Sequence, residues 1–192
     1  MRRASKICVA VAILAILAVT TITAQAKTKA PGKNQVLLVG RCTIGSTLDD
    51  AFYARYFSYD KNPPPKHQIS QIKKIPISKT ETYDEPIGTL GDLYYMLMDV
   101  PSDGVIRLPG LKLYLFGNER ASLFLPMPVS IKVPEGSKYL YLGTFTYAFA
   151  DEYFMIKDIS RSDEFDEASV AVKKLYGEKT ELSRAVLMQN RD

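Results

Sequence analysis

The sequence predicts a mostly β fold, an antiparallel β-sandwich with a C-terminal α-helix packed on it. Three observations predict this class. Apolar residues alternate with period two over several short segments, turn-forming residues separate those segments, and one segment near the C terminus changes to the helical period. Two sheets packed face to face bury the apolar sides of such strands.

The first predicted strand covers residues 35–44, with Cys42 on the same face as Val36 and Leu38. An aromatic segment at 52–59 predicts a second strand. A run of three prolines follows it, and prolines cannot donate hydrogen bonds to a sheet ladder. Residues 67–77 then predict a peripheral strand, where lysines discourage edge-to-edge pairing.

The middle of the chain alternates most clearly. Residues 93–100 are predicted to be a strand rather than a short helix, because two tyrosines and a following proline favour the extended conformation. Turn residues at 102–104, 117–118 and 134–137 separate the next segments. The further predicted strands cover residues 105–116, 129–133, 138–149 and 153–159.

The change of period predicts a helix over about 162–176. Ser162 is the predicted cap, acidic residues follow it in the first turn, Lys173 and Lys174 lie in the last turn, and Gly177 ends the helix. This charge order complements the helix dipole. The segment 180–188 is a candidate for a second short helix.

Residues 1–26 are predicted to be a cleavable signal peptide. A basic start precedes an apolar run from Cys8 to Val19 and an Ala-Gln-Ala exit. The alternative is an uncleaved membrane anchor, but the run is shorter than the ~20 residues that span a bilayer. Residues 27–34 are predicted to be a flexible leader, and 35–192 a single domain without a spanning segment. The protein is therefore expected in the periplasm, outside the cell or at its surface.

The charge of the chain argues against a nucleic-acid partner. The net charge is +4, with 25 basic and 21 acidic residues, and removal of the three basic residues of the signal leaves 22 basic against 21 acidic. Proteins that bind nucleic acid carry a clustered cationic face. An envelope protein or an envelope polymer is the expected partner.

Few residues suggest catalysis, so the protein is predicted not to be an enzyme. His67 is the single histidine, without a second ligand at metal spacing, and is interpreted as a surface residue. Cys42 could act as a nucleophile beside His67, but its alternation favours the core. Carboxylate pairs at 49–50 and 151–152 fall at predicted turns. No metal or cofactor is expected.

Two candidate binding surfaces are predicted. An exposed aromatic row on the 138–149 strand could contact a partner or a glycan; the alternative is that the second sheet and the helix cover both faces of that strand. The basic stretch 66–79 could contact an anionic envelope polymer, the alternative being a solvated edge strand. The residues singled out are Tyr139, Tyr141, Phe145, Tyr147, Lys73 and Lys74.

Three motifs resemble exported bacterial β-sandwich modules of the transthyretin-like or carboxypeptidase-regulatory-like kind. They are LPGLKLYL at 108–115, VSIKVPEG at 129–136 and YLYLGT at 139–144. In such modules a Pro-Gly precedes a tyrosine-bearing strand, and a Tyr-Leu-Gly-Thr strand crosses the sandwich. The resemblance implies a non-catalytic module and carries over no site residue.

The expected function is therefore an exported, non-catalytic binding or structural module of the bacterial cell envelope. Two alternatives remain open at this point. One is a hydrolase that acts on an envelope polymer through a carboxylate pair. The other is a subunit of a surface or membrane complex, which would present an unpaired strand edge.

Overall fold

The computed structural model describes residues 29–45, 71–74, 87–114, 122–149 and 156–189. These ranges contain ten strands and one α-helix, α1 (Phe165–Tyr176). The strands are β1 (Gln35–Ile44), β2 (Gln71–Lys74), β3 (Gly88–Thr89), β4 (Leu93–Asp99), β5 (Val105–Tyr114), β6 (Ser122–Lys132), β7 (Tyr139–Phe149), β8 (Ile156–Ser162), β9 (Ser183–Arg184) and β10 (Val186–Gln189).

The strands form two five-stranded sheets. Sheet A has the order β4-β1-β7-β8, with β9 also paired to β7, and sheet B has the order β10-β6-β5-β2-β3. The chain passes from sheet A to sheet B at its C-terminal end, because β9 pairs with β7 and β10 pairs with β6. The two sheets are thus joined along one side of the sandwich.

The molecule has three layers: sheet B, sheet A and the helix. One apolar core lies between the sheets and the other lies between sheet A and α1. Strand β1 contributes to both, since Leu38 and Cys42 face sheet B while Leu37 and Val39 face the helix. The predicted mostly β sandwich with a helix packed on it is confirmed.

The strand pairing is antiparallel except at two places. Strand β7 runs parallel to β1 along most of its length and parallel to the short β9. Parallel strands occur where both faces of a sheet are covered, and residues 36–40 of β1 are all buried. The near-continuous apolar run of β1 is the sequence signal for this two-sided burial.

The helix begins three residues later than predicted. Ser162 belongs to β8, paired with Thr144, and the first helical residue is Phe165. The backbone N–H of Phe165 donates to Asp163 Oδ1 at 3.1 Å. Ser162, which local capping rules select as the helix cap, is therefore paired within the sheet. The Asp163 carboxylate instead accepts the hydrogen bond from the first helical residue.

The predicted helix over 180–188 is wrong. This segment forms β9 and β10, and the backbone N–H of Ala185 donates to the carbonyl oxygen of Tyr141 at 2.9 Å. A short segment with mixed periodicity has no strong local preference, so it forms strands where it can hydrogen-bond to the backbone of the two sheets. Its conformation is thus decided by tertiary contacts.

The end of the predicted flexible leader is held against the sheets. Lys138 Nζ donates to the carbonyl oxygens of Gly32 and Lys33, and the backbone N–H of Val100 donates to the carbonyl oxygen of Asn34 at 2.9 Å. The predicted signal peptide, the predicted strand at 52–59 and His67 lie outside the described residues. In the ranges that the structure describes, there is no helix with the length and apolarity that crossing a membrane requires.

Candidate binding surface

A polar cluster joins sheet A to the start of the helix. Arg41, on β1, has a side chain 15% exposed and donates to the carboxylates of both Glu164 and Glu167. The hydrogen bond to Glu167 is the main cause that raises the pKa of Arg41, and the same hydrogen bond lowers the pKa of Glu167. The ionised form of the Arg41–Glu167 pair is therefore favoured, and the cluster holds the helix against the sheet.

Strand β7 contributes two hydroxyl groups to the same cluster. Thr144 Oγ1 donates to Glu164 Oε2 at 2.8 Å, and the Tyr141 hydroxyl oxygen accepts from the backbone N–H of Glu164 at 2.9 Å. Most of these polar groups are used within the protein. The cluster is accordingly a structural junction between sheet and helix rather than a ligand site.

The four aromatic residues predicted to form one row lie on two faces. The pairing of β1 with β7 shifts where Val39 is opposite Tyr141 and Gly40 is opposite Gly143, so β7 contains a bulge at residues 142–143. A bulge adds one residue and moves the following side chains to the other face. The prediction of a single row is wrong for this reason.

Both faces of this strand are covered. Tyr139 and Tyr141 face the helix. The ring centroids of Tyr139 and Tyr176 are 5.3 Å apart, and those of Tyr141 and Phe165 are 5.9 Å apart. Beyond the bulge, the strand continues with two core residues that face sheet B, Phe145 and Tyr147. The aromatic residues of β7 hold the layers together and present no exposed row.

Cys42 is a core residue. Its side chain is fully buried between the sheets, and burial raises the pKa of the thiol to about 12, partly opposed by a hydrogen bond with Tyr147. A thiol in this state is protonated at neutral pH and is a poor nucleophile. The packing interpretation of Cys42 is confirmed.

The outer face of sheet B, opposite the sandwich core, is the candidate binding surface. Leu123, Leu125 and Met127 of β6 point to the core, so the alternate residues of β6 lie on the outer face. Register with β6 extends this face to β5 and β10. Its described side chains include the exposed Arg107, Phe124, Lys132, Val186 and Met188, the half-buried Lys112 and the buried Ser130.

This surface combines cations with exposed apolar side chains. Phe124 is 51% exposed, Val186 60% and Met188 37%. Lys132 is exposed beside Val186, whereas Lys112 is half-buried beside Phe124 and also interacts within the protein. The described positions of β5, β6 and β10 on this face carry no acidic residue.

Among the described residues, the acidic side chain of Asp103 lies at the margin of the surface. Asp103 Oδ2 is 2.9 Å from the guanidinium of Arg107, and both side chains are largely exposed. The pKa of Asp103 is lowered, first by the hydrogen bond from the backbone N–H of Val105 and then by that from Arg107. An exposed pair of this kind is weak and leaves the guanidinium accessible to a ligand.

The position of Phe124 is set by Gly110 on the neighbouring strand. A methyl group built on Gly110 would lie 2.7 Å from the Phe124 ring, so the ring lies directly over this glycine. The register between β5 and β6 shifts at the same place, since Leu108 is paired with Val129 and Gly110 with Pro126. The ring is thus held across the strand while about half of its surface remains in contact with solvent.

The two predicted basic residues lie on β2 in sheet B. Lys73 is paired with Lys112, an outer-face position, and Lys74 is paired with Leu111, a core position. The cross-strand row Lys73–Lys112–Phe124 therefore connects the predicted basic stretch with the candidate surface. The carboxylate pairs at 49–50 and 151–152 lie outside the described residues.

Sequence reasoning missed the apolar residues of this surface. The first half of β6 was not predicted as a strand, because it contains Pro126 and Pro128. An apolar residue at every odd position from 123 to 131 was the sequence signal that indicated this strand. Val186 and Met188 were missed because their segment was interpreted as helical. Strand assignment in both places depends on partners that are distant in sequence.

Two other surface features are present. Strand β8 lies at the edge of sheet A, where six of its seven residues are exposed, and within the described chain it pairs with β7. A groove of about 390 Å³ lies at one end of the sandwich, lined by residues 33–35, 100–102 and 133–138. In the groove, Lys138 Nζ is already occupied by backbone carbonyl oxygens.

In the described ranges, no group of three or more histidine, cysteine or acidic side chains is placed to hold a metal ion. Comparison with protein-family models, curated proteins and solved structures finds no match to this chain. The class that the structure defines is a two-sheet β-sandwich with one packed helix. The resemblance to transthyretin-like modules stays a prediction.

Proposed function

We propose that this protein is an exported, non-catalytic binding module of the bacterial cell envelope, which binds an anionic envelope component through the outer face of sheet B. One observation carries the proposal. Lysine and arginine side chains on this face lie among exposed apolar side chains, and the strand positions described there carry no acid. A surface of one sign attracts ligands of the opposite sign.

The rest of the described molecule supports a binding role by the way its reactive groups are used. The Cys42 thiol is buried, and the carboxylates of Glu164 and Glu167 are bound to Arg41. On the outer face of sheet B, Lys132 and the apolar side chains of Phe124, Val186 and Met188 are exposed to solvent. Exposed apolar groups on one face, with polar groups between them, are typical of interaction sites.

Export is tested by the N terminus of the protein recovered from cells. Mass spectrometry of the protein from the periplasmic or culture fraction should find a chain that begins at Lys27, after the Ala24-Gln25-Ala26 exit. Recovery of the chain from the cytoplasmic fraction with residues 1–26 intact would contradict the export proposal. This measurement does not depend on any ligand.

Binding is tested with a soluble glycerol-phosphate polymer as the anionic probe. Replacement of Lys112 and Lys132 by glutamate should abolish binding, because it reverses the charge at two positions of the surface. Lys173→Glu on the helix is the matched control, since this exposed lysine lies on the layer opposite sheet B. Equal loss in the control would indicate a general charge effect and contradict the assigned surface.

Two further readouts distinguish the proposal from its competitors. Tighter binding to duplex DNA than to the polymer would contradict an envelope role. Alanine at Asp49, Asp50, Asp151 and Glu152 should leave a cellular phenotype of the gene intact. Loss of that phenotype with retained folding would contradict the non-catalytic proposal and favour a hydrolase.

A further inference from the structure

The exposed apolar side chains of the described chain are concentrated on one face. The large apolar residues that are at least about one-third exposed are Phe124, Ile159, Val170, Val186 and Met188. Three of these five lie on the outer face of sheet B. Burial of apolar surface is favourable, so these side chains stabilise contact with an apolar partner.

Cationic and apolar side chains are cross-strand neighbours at two places on this face. Val186 is paired with Lys132 and Phe124 with Lys112, whereas Met188 is paired with Ser130, which is buried. Neighbouring strands are separated by about 4.8 Å, and same-face residues along one strand by about 7 Å. The face thus presents positive charge and hydrocarbon together on the scale of single lipid molecules.

A ligand that matches this arrangement must offer anionic groups and hydrocarbon in one surface. A soluble polyanion matches the lysines and leaves the apolar side chains in water. An anionic bilayer matches both, because phosphates lie at its surface and acyl chains lie a few ångströms below. The sheet face presents these side chains from a rigid layer, which removes the cost of ordering a flexible segment on binding.

We propose that the outer face of sheet B docks on the surface of an anionic phospholipid bilayer. Phe124, Val186 and Met188 enter the boundary between headgroups and acyl chains, and Lys112 and Lys132 contact the headgroup phosphates. This inference rests on the proposed function and names the envelope component that the surface binds. Binding is peripheral, through side chains alone.

The test is co-sedimentation of the exported protein, with its native N terminus, with vesicles of phosphatidylglycerol and phosphatidylcholine in equal parts. We expect binding to these vesicles and little binding to phosphatidylcholine alone. Phe124→Ser and Val186→Ser should each lower the partition coefficient by about tenfold. Lys112→Gln and Lys132→Gln should each lower it by about fivefold, the contribution of one lysine near an anionic surface.

The matched controls lie on the opposite layer. Val170→Ser replaces a helix valine that is 68% exposed, and Lys173→Gln neutralises an exposed helix lysine. Both variants should bind the mixed vesicles as the wild type does. Thermal melting of each variant checks folding, and changes at the exposed sites are expected to leave the melting temperature close to that of the wild type.

The outcomes separate this inference from the proposed function. If the lysine variants lose binding to the soluble polymer while the serine variants bind vesicles normally, the anionic surface stands and bilayer docking is overturned. If every variant binds vesicles as the wild type does, another segment mediates binding, which also overturns the inference. Capture of a protein partner that depends on Phe124, without vesicle binding, would assign the face to that protein instead.

Discussion

The hydroxyl oxygen of Tyr141, on the central strand β7, accepts a hydrogen bond from the backbone N–H of Glu164 at 2.9 Å. The Glu164 carboxylate in turn accepts hydrogen bonds from Thr144 and Arg41. Three residues of sheet A therefore bind the residue that precedes α1. The helix start is fixed by side chains that are distant in sequence, which explains why local capping rules misplaced it.

Removal of the Arg41 guanidinium should weaken the junction between sheet A and the helix. Arg41→Gln leaves the two carboxylates without their shared cation, and hydrogen bonds to charged groups contribute about 1.5–3 kcal/mol. Because Glu164 and Glu167 are 37% and 61% exposed, solvent replaces part of this contribution. We expect a loss of about 1–2 kcal/mol in the free energy of unfolding, measured by urea denaturation.

The control for this prediction is Arg107→Gln. Arg107 also pairs with a carboxylate, but the pair is exposed on both sides, at 63% and 49%. Its loss should leave the free energy of unfolding close to that of the wild type. Similar effects in the two variants would contradict the assignment of the Arg41 cluster as a structural junction.

The stabilisation contributed by Glu167 should depend on pH in the acid range. Its pKa in the folded protein is lowered below the ordinary value of 4.5, chiefly by the hydrogen bond from Arg41. A lowered pKa means that the contribution is complete above pH 4.5 and is lost as the pH falls through the folded-state value. The difference in unfolding free energy between wild type and Glu167→Gln should therefore decrease below pH 4.5. A difference that is constant with pH would count against the ion pair.

An alanine at the bulge of β7 should be costly. Gly143 has φ 109°, and a methyl group there would lie 2.5 Å from Arg161 Nε. Gly143→Ala is expected to lower the free energy of unfolding by about 2–3 kcal/mol, through backbone strain and displacement of Arg161. The same change at Gly104, which has φ 69° and nothing within 4 Å, should cost about 1 kcal/mol. Equal melting temperatures for the two variants would argue against a tightly packed bulge.

The Cys42 thiol should be protected in the folded protein. Burial raises its pKa to about 12, so both access and the thiolate fraction are low at neutral pH. In a Cys8→Ser chain, labelling by a disulfide reagent should be slow in buffer and complete in denaturant. Stoichiometric labelling within seconds under native conditions would show an accessible thiol and contradict core packing.

Strands with strong period-two alternation were predictable from the sequence. The predicted strand at 35–44 matches β1, and the predicted strands at 93–100, 105–116 and 138–149 match β4, β5 and β7 to within two residues at each end. The helix was predictable as an element because its charge order and apolar spacing agree. In these segments the local preference and the buried face point to the same conformation.

Other features required the tertiary structure. Alternation alone places Tyr141 and Tyr147 on one face, and the bulge at Gly143 separates them. The segments that became β9 and β10 have no strong periodicity, and their pairing with β7 and β6 decides their conformation. Whether Phe124 is core or surface depends on which side of sheet B faces sheet A.

The sequence by itself determined the class of fold, the position of the main strands and the helix, and the burial of Cys42, because these follow from side-chain periodicity along the chain. Only the tertiary structure decided the parallel pairing of β1 with β7, the faces of the β7 aromatic residues and the grouping of Phe124, Val186 and Met188 on one surface. The physical reason is that register, bulges and layer order depend on contacts between segments far apart in sequence. No local pattern specifies those contacts.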